Sequence, residues 1–120
     1  MKRYVFLLAY RESIWGEASV EQQQSWMEDH ERFHAFVALH GRTIATAPLA
    51  SVSDATTVRH IEGQRVVTDG PFAETTETVG GYYDIELPSL DVAIEGAALL
   101  PSGYAIEIRP TISMGEAATA

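Results

Sequence analysis

The chain has 120 residues, 46% of them hydrophobic, enough for one core and not for a second. Eight Lys and Arg against 17 Asp and Glu give a net charge of -9, a field that repels nucleic-acid phosphate and anionic lipid. The absence of cysteine removes disulfides, thiolate nucleophiles and thiolate metal sites, and suits a reducing compartment.

Residues 4–9, YVFLLA, are a short continuous apolar run that reads as a buried strand. The run meets Arg11 and Glu12 too soon for a signal peptide. No apolar segment approaches the roughly 20 residues needed to span a bilayer. A cytoplasmic protein that binds neither nucleic acid nor membrane is therefore expected. Ser19 to Gln22 spells S-x-x-Q, a capping box that opens a helix, and Gly41 supplies its stop. A helix over residues 20–40 is roughly 30 Å long at its rise per residue. Steps of 100° from Trp26 bring His30, Phe33, Val37 and His40 within about 40° of it, so two histidines share the apolar stripe.

Residues 43–47 suggest a second strand, and residues 57–61 and 64–68 flank Glu62-Gly63, a two-residue hairpin turn. Residues 81–87 alternate, with Tyr83, Ile85 and Leu87 on one face and Tyr82, Asp84 and Glu86 on the other. Ser89 caps a second helix over residues 90–100, ended by Pro101 and Gly103. Tyr104, Ile106 and Ile108 alternate with Ala105, Glu107 and Arg109 in a last strand. Residues 1–114 thus form a single domain, and residues 115–120 read as a flexible, frayed tail. The order β-α-β-hairpin-β-α-β predicts an α+β fold, a ferredoxin-like split βαβ with an inserted β-hairpin and both helices on one face of an antiparallel sheet. The other face is left for a partner, and a symmetric homodimer closes it most simply.

His30 to His34 reads HERFH and fits H-E-x-x-H, the helix signature of zinc hydrolases, with His30 and His34 as ligands and Glu31 as base. The longer form of that motif has glycine where this chain has Val37. His40, in the third-ligand position, lies about 9 Å further along the helix axis than His34. The expectation is therefore no bound metal and no cofactor, with zinc hydrolysis kept as a third reading.

The stretch VTDGPFAETTETVGGYYDIE resembles the signature of the DGPF proteins, a branch of the YCII-related family of small bacterial proteins. The similarity runs from the opening MKRYVFLLAY through ALHGR and TTVRHIEGQRVV to the closing IEIRP. It implies a ferredoxin-like unit that pairs into a dimeric α/β barrel. It also implies a histidine about three turns before a glycine, facing an aspartate. Counting back from Gly41 gives His30, and Asp69 is its expected partner, with Trp26, Phe33, Gly70, Pro71 and Phe72 around the pair as a ligand pocket. Pro71 fixes its own φ and biases Gly70 away from helix, which aims the acid. A carboxylate beside a half-buried imidazole would raise its pKa and make an acid/base pair. Thr76 stands where the family commonly carries a lysine.

Two functions follow. The resemblance implies a small-molecule protein with His/Asp acid-base chemistry of lyase or isomerase type, since relatives act on muconolactone-like rings. It equally implies a non-catalytic regulatory or protein-interaction module linked to extracytoplasmic-function sigma factors. Against both stands a plainer expectation: His30 as a core histidine satisfied by a hydrogen bond, and Asp69-Gly70-Pro71 as a turn.

Overall fold

In the computed structural model, which describes residues 1–119, the chain runs β1 (Lys2–Tyr10), α1 (Ile14–Glu17), α2 (Val20–His40), β2 (Arg42–Pro48), β3 (Thr56–Ile61), β4 (Gln64–Asp69), β5 (Thr78–Leu87), α3 (Leu90–Ala97), β6 (Ala105–Pro110) and α4 (Met114–Thr119). Four strands make an antiparallel sheet in the order β2-β5-β1-β6, and β3 and β4 form a separate hairpin. This is an α+β protein with two antiparallel sheets.

The two-residue period of the central strands divides the sheet into two faces. Tyr4, Phe6 and Leu8 of β1 lie on one face with Tyr83, Ile85 and Leu87 of β5, all buried. Phe33 and Val37 of α2 and Ala93 of α3 complete that core. On the other face Val5 and Leu7 pair with Asp84 and Tyr82, and it stays partly open. Ion pairs Arg3–Asp84 and Arg42–Glu86 mark its polar end. The chain measures 49 × 43 × 18 Å, so its thin dimension is one sheet plus one layer of helices.

Local chemistry fixes the ends of these elements. The Ser19 hydroxyl accepts the Gln22 N–H at 3.1 Å and opens α2 as its capping sequence predicts. At the other end a side chain at Gly41 would run into the carbonyl oxygen of Glu86, so only glycine lets the chain turn into β2. Glu62 and Gly63 both have positive φ, 51° and 76°, the form that a tight hairpin turn takes.

Three features depart from the sequence reading. β5 begins at Thr78, three residues earlier than the alternation suggested, because Ala9 and Tyr10 extend β1 far enough to pair with it. The segment before α2 contains a helical turn, α1. The expected frayed tail instead forms α4, with residue 120 outside the described residues. Here Ser113 accepts the Glu116 N–H at 3.1 Å, and the Glu116 carboxylate accepts the Ser113 N–H at 3.1 Å. This is a capping box spelled S-x-x-E in the sequence. Among the described residues no helix is long and apolar enough to cross a membrane.

Candidate functional site

The stripe of α2 that faces the sheet carries Trp26, Phe33 and Val37 into the core, and one step around it Met27, His30 and His34 share a side. Below them, the alternation of β5 turns Tyr83 inward. Tyr104 enters β6 from the turn after α3, its N–H bonded to the Pro101 carbonyl at 3.0 Å. These elements converge on His30. Its Nδ1 lies 2.6 Å from the Tyr83 hydroxyl and its Nε2 lies 3.1 Å from the Tyr104 hydroxyl. The Tyr83 hydroxyl also meets His34 Nε2 at 3.3 Å.

The tyrosines are themselves held in place. Tyr104 stacks on Tyr10 with ring centres 4.6 Å apart, and the Tyr10 hydroxyl donates to the Gly80 carbonyl at 3.3 Å. A side chain at Gly80 would collide with that hydroxyl, so glycine leaves the room Tyr10 needs. Phe33 backs Tyr83 at 4.6 Å, and Trp15 meets Trp26 edge-on at 5.0 Å.

Burial sets the protonation states. It lowers the His30 pKa below its ordinary 6.5, the nearby His34 lowers it further, and Asp29 acts the other way. Burial pushes the Tyr83 and Tyr104 hydroxyls up to about 12, a hydrogen bond with Trp15 opposing this at Tyr104. At neutral pH the cluster is a neutral imidazole between two protonated phenols. A neutral imidazole has one N–H donor and one acceptor nitrogen, so His30 can take a proton on one side while giving one on the other.

The cluster lines a cavity of about 460 Å³ between α2 and the sheet, walled by Leu8, Tyr10, Trp15, Met27, Ala47, Pro48 and Tyr82 beside His30, His34, Tyr83 and Tyr104. The size is that of a small-molecule site, within a typical range of roughly 300–1,000 Å³. Its wall is mostly apolar, and among the described residues it includes no Asp, Glu, Lys or Arg.

The structure places the other expected residues elsewhere. Asp69 ends β4, pairs with Thr56 across the hairpin and is exposed. Among the described residues no side chain bonds to its carboxylate, and it shares neither a hydrogen bond nor a cavity wall with His30. The reason is topological: β3 and β4 pair with each other and not with the main sheet. Gly70 has φ 103° and donates to the Ala55 carbonyl at 2.7 Å, while its own carbonyl accepts the Thr57 hydroxyl at 2.8 Å. Arg59 donates to the Phe72 carbonyl at 2.6 Å. Pro71 and Phe72 line a different depression, of about 620 Å³. Trp26 and Phe33 are buried behind the His30 cavity and form no part of its wall.

The HERFH histidines do point into one region, but both nitrogens of His30 face tyrosine hydroxyls. Among the described residues no group of three or more His, Cys, Asp or Glu comes together to hold a metal ion. His40 packs its ring at a tilt against Phe36, centres 4.3 Å apart, away from the pair. Sequence reasoning passed over Tyr10, Trp15 and Tyr104 as site residues. The one signal for Tyr83, its place in the alternation with Ile85 and Leu87, does not by itself separate a site residue from a core residue.

A four-stranded antiparallel sheet, helices on one face and a small-molecule-sized cavity between them define a small α+β domain with a candidate binding site. The YCII-related domain matches residues 3–114. A protein of Rhizobium meliloti (strain 1021), described as uncharacterized, is 35% identical over 111 residues, covering 89% of this chain and 90% of the relative. The chain belongs to the YCII-related family.

Proposed function

We propose that the chain binds a small molecule between α2 and the sheet and carries out acid-base chemistry there, of lyase or isomerase type, with His30 at its centre. One observation carries the reading: a half-buried imidazole bonded through both nitrogens to Tyr83 and Tyr104 lines an apolar cavity of about 460 Å³. Simple packing requires one partner for a buried histidine, and here each nitrogen meets a group with a proton of its own. Within one chain Asp69, exposed on the hairpin, neither bonds to His30 nor lines its cavity, so the reading does not draw on it.

The strand order and the 18 Å thickness support a ferredoxin-like unit that pairs through the open sheet face into a homodimeric α/β barrel. Val5, Leu7 and Tyr82 would then lie at the interface. Light scattering is expected to give twice the chain mass, and Leu7→Lys is expected to halve it.

A thermal-shift screen of small molecules tests the binding reading. Compounds that stabilise the wild type are expected to lose their effect on His30→Ala. Equal shifts in both proteins, or no shift with any compound, would contradict it. A second reading, a protein-interaction module, draws on the hairpin, where Val58, Ile61 and Val67 are exposed and Phe72 is 79% exposed. That reading expects Phe72→Ser to abolish function while His30→Ala preserves it.

A further inference from the structure

We infer that the β3–β4 hairpin is an arm that lies across a second copy of this chain, packing through the face that carries Val58 and Val67. The inference rests on the homodimer pairing proposed above and deepens it by giving the hairpin a place in that pairing. The first support is surface. A folded monomer of 13.1 kDa exposes about 6,400 Å². This chain exposes 8160 Å², about 1,800 Å² more. Each partner contributes about 800 Å² to a standard interface and about 1,000–2,500 Å² to an obligate one, so the surplus is of the size that a stable dimer covers. The radius of gyration, 16.7 Å, likewise exceeds the roughly 13.6 Å of a compact chain of this length.

The second support is the hairpin itself. Its strands pair only with each other, and residues 56–69 are all exposed except the half-buried Thr57 and Val66. A two-stranded hairpin standing alone in water is marginally stable, so this one needs a surface to pack on. The register tells which side is free. Cross-strand partners share a face, so Val58 and Val67 stand together on one side, with Arg59–Val66 and Ile61–Gln64 on the other. That other side leans on its own chain, through Thr57 and Val66 and through Arg59, which donates to the Phe72 carbonyl. Val58 and Val67 are left on the outer side, each 55% exposed.

The third support singles out a second copy as the occupant. Two chains of net charge -9 repel, and contact is easiest where charge is least. Within residues 56–69 Arg59 and Arg65 offset Glu62 and Asp69, so the hairpin carries none of that net charge. It also adjoins the open sheet face. Ala9 follows Val5 and Leu7 on that face by the alternation of β1, and Ala9 and its partner Val79 line the depression of about 620 Å³ together with Ala55 and Pro71 at the hairpin's root. A chain seated on the open face therefore lies within reach of the hairpin, and two-fold symmetry returns the contact. The contact runs from the Val58–Val67 pair toward the tip. Asp69, at the root, stays in water because a carboxylate buried without a partner is costly, and Phe72 beyond it stays outside as well.

The test is light scattering of the full-length protein across a dilution series, with every variant checked for folding by near-ultraviolet circular dichroism. The wild type is expected at twice the chain mass. Val58→Lys combined with Val67→Lys is expected to weaken pairing at least about a hundredfold, since two valines lose their contact and two charges enter it. Ile61→Lys, on the hairpin's inner side, is expected to leave pairing unchanged. Should the double variant fail to fold, hydrogen exchange of the wild type decides. The amides of residues 56–69 are expected to exchange at least about tenfold more slowly in the dimer than after dilution to the monomer. A double variant that pairs like the wild type, or hairpin amides that exchange equally fast in both states, overturns the arm. Equal weakening by Ile61→Lys overturns the assignment of its face. Pairing lost in Leu7→Lys but kept in the double variant overturns the arm and leaves the sheet-face pairing standing, and the reverse result overturns the sheet-face pairing and leaves the arm. A wild type at the single-chain mass at every concentration overturns both.

Discussion

His30 draws its hydrogen-bond partners from 53 and 74 residues further along the chain, whereas Asp69 is held by neighbours within its own hairpin. The first environment exists only once α2, β5 and the start of β6 have packed together. Its low polarity keeps an imidazole and two phenols neutral and fixes their geometry. The second is a solvated turn whose shape comes from backbone bonds and from Gly70 at positive φ. A distinctive sequence motif can therefore mark a bend, while the chemistry gathers where long-range packing brings ordinary residues together.

The contrast is sharpest in stability. Phe33, fully buried, packs on Phe6 and Tyr83, so Phe33→Ala is expected to cost about 3–5 kcal/mol in denaturant unfolding. Phe72→Ala, at an exposed side chain, is expected to change stability by no more than about 0.5 kcal/mol. A cost for Phe72→Ala near that of Phe33→Ala would mean that the bend after β4 is buried in an assembly. Next in size, Tyr83→Phe leaves His30 Nδ1 without its close partner and is expected to cost about 1–3 kcal/mol.

Stability against pH follows the same division. The Tyr83 and Tyr104 hydroxyls have native pKa values near 12 against 10 in the unfolded chain, so the native state holds their protons longer. Their contribution is fully present below pH 10 and is lost as pH rises from 10 toward 12. Thermal melts are expected to fall across that window, and less steeply in Tyr104→Phe. His30 works in the opposite sense. Its native pKa is depressed, so the unfolded chain takes up the proton first, and stability declines as pH falls below 6.5 toward the native value. His30→Gln is expected to flatten that acid limb. The smallest effect belongs to Asp69→Asn, expected within about 0.5 kcal/mol at neutral pH.

Much of the fold was legible because its signals are local. The Ser19 cap, the Gly41 stop, the Glu62-Gly63 turn and the alternation of Tyr83, Ile85 and Leu87 each act over a few residues. The helix period also placed His30 on the buried stripe. What the sequence could not carry was which long-range groups meet that histidine. Tyr104 sits in the turn just before the last strand, and Trp15, which walls the same cavity, belongs to a four-residue helical turn with no periodic signature. Asp69 was favoured because its motif is distinctive, but nothing in a local motif fixes which sheet its strand will join. The S-x-x-E box at Ser113 was a local signal passed over in a tail composed of small residues.

The nitrogen resonances of the His30 ring, followed by NMR as pH is lowered, address the central claim most directly. Partnered by Tyr83 and Tyr104 in a low-polarity cavity, His30 is expected to titrate below 6.5, and Asp69→Asn is expected to leave the midpoint where it was. A midpoint above 6.5 that drops on Asp69→Asn would contradict the account and return the aspartate to the histidine's side.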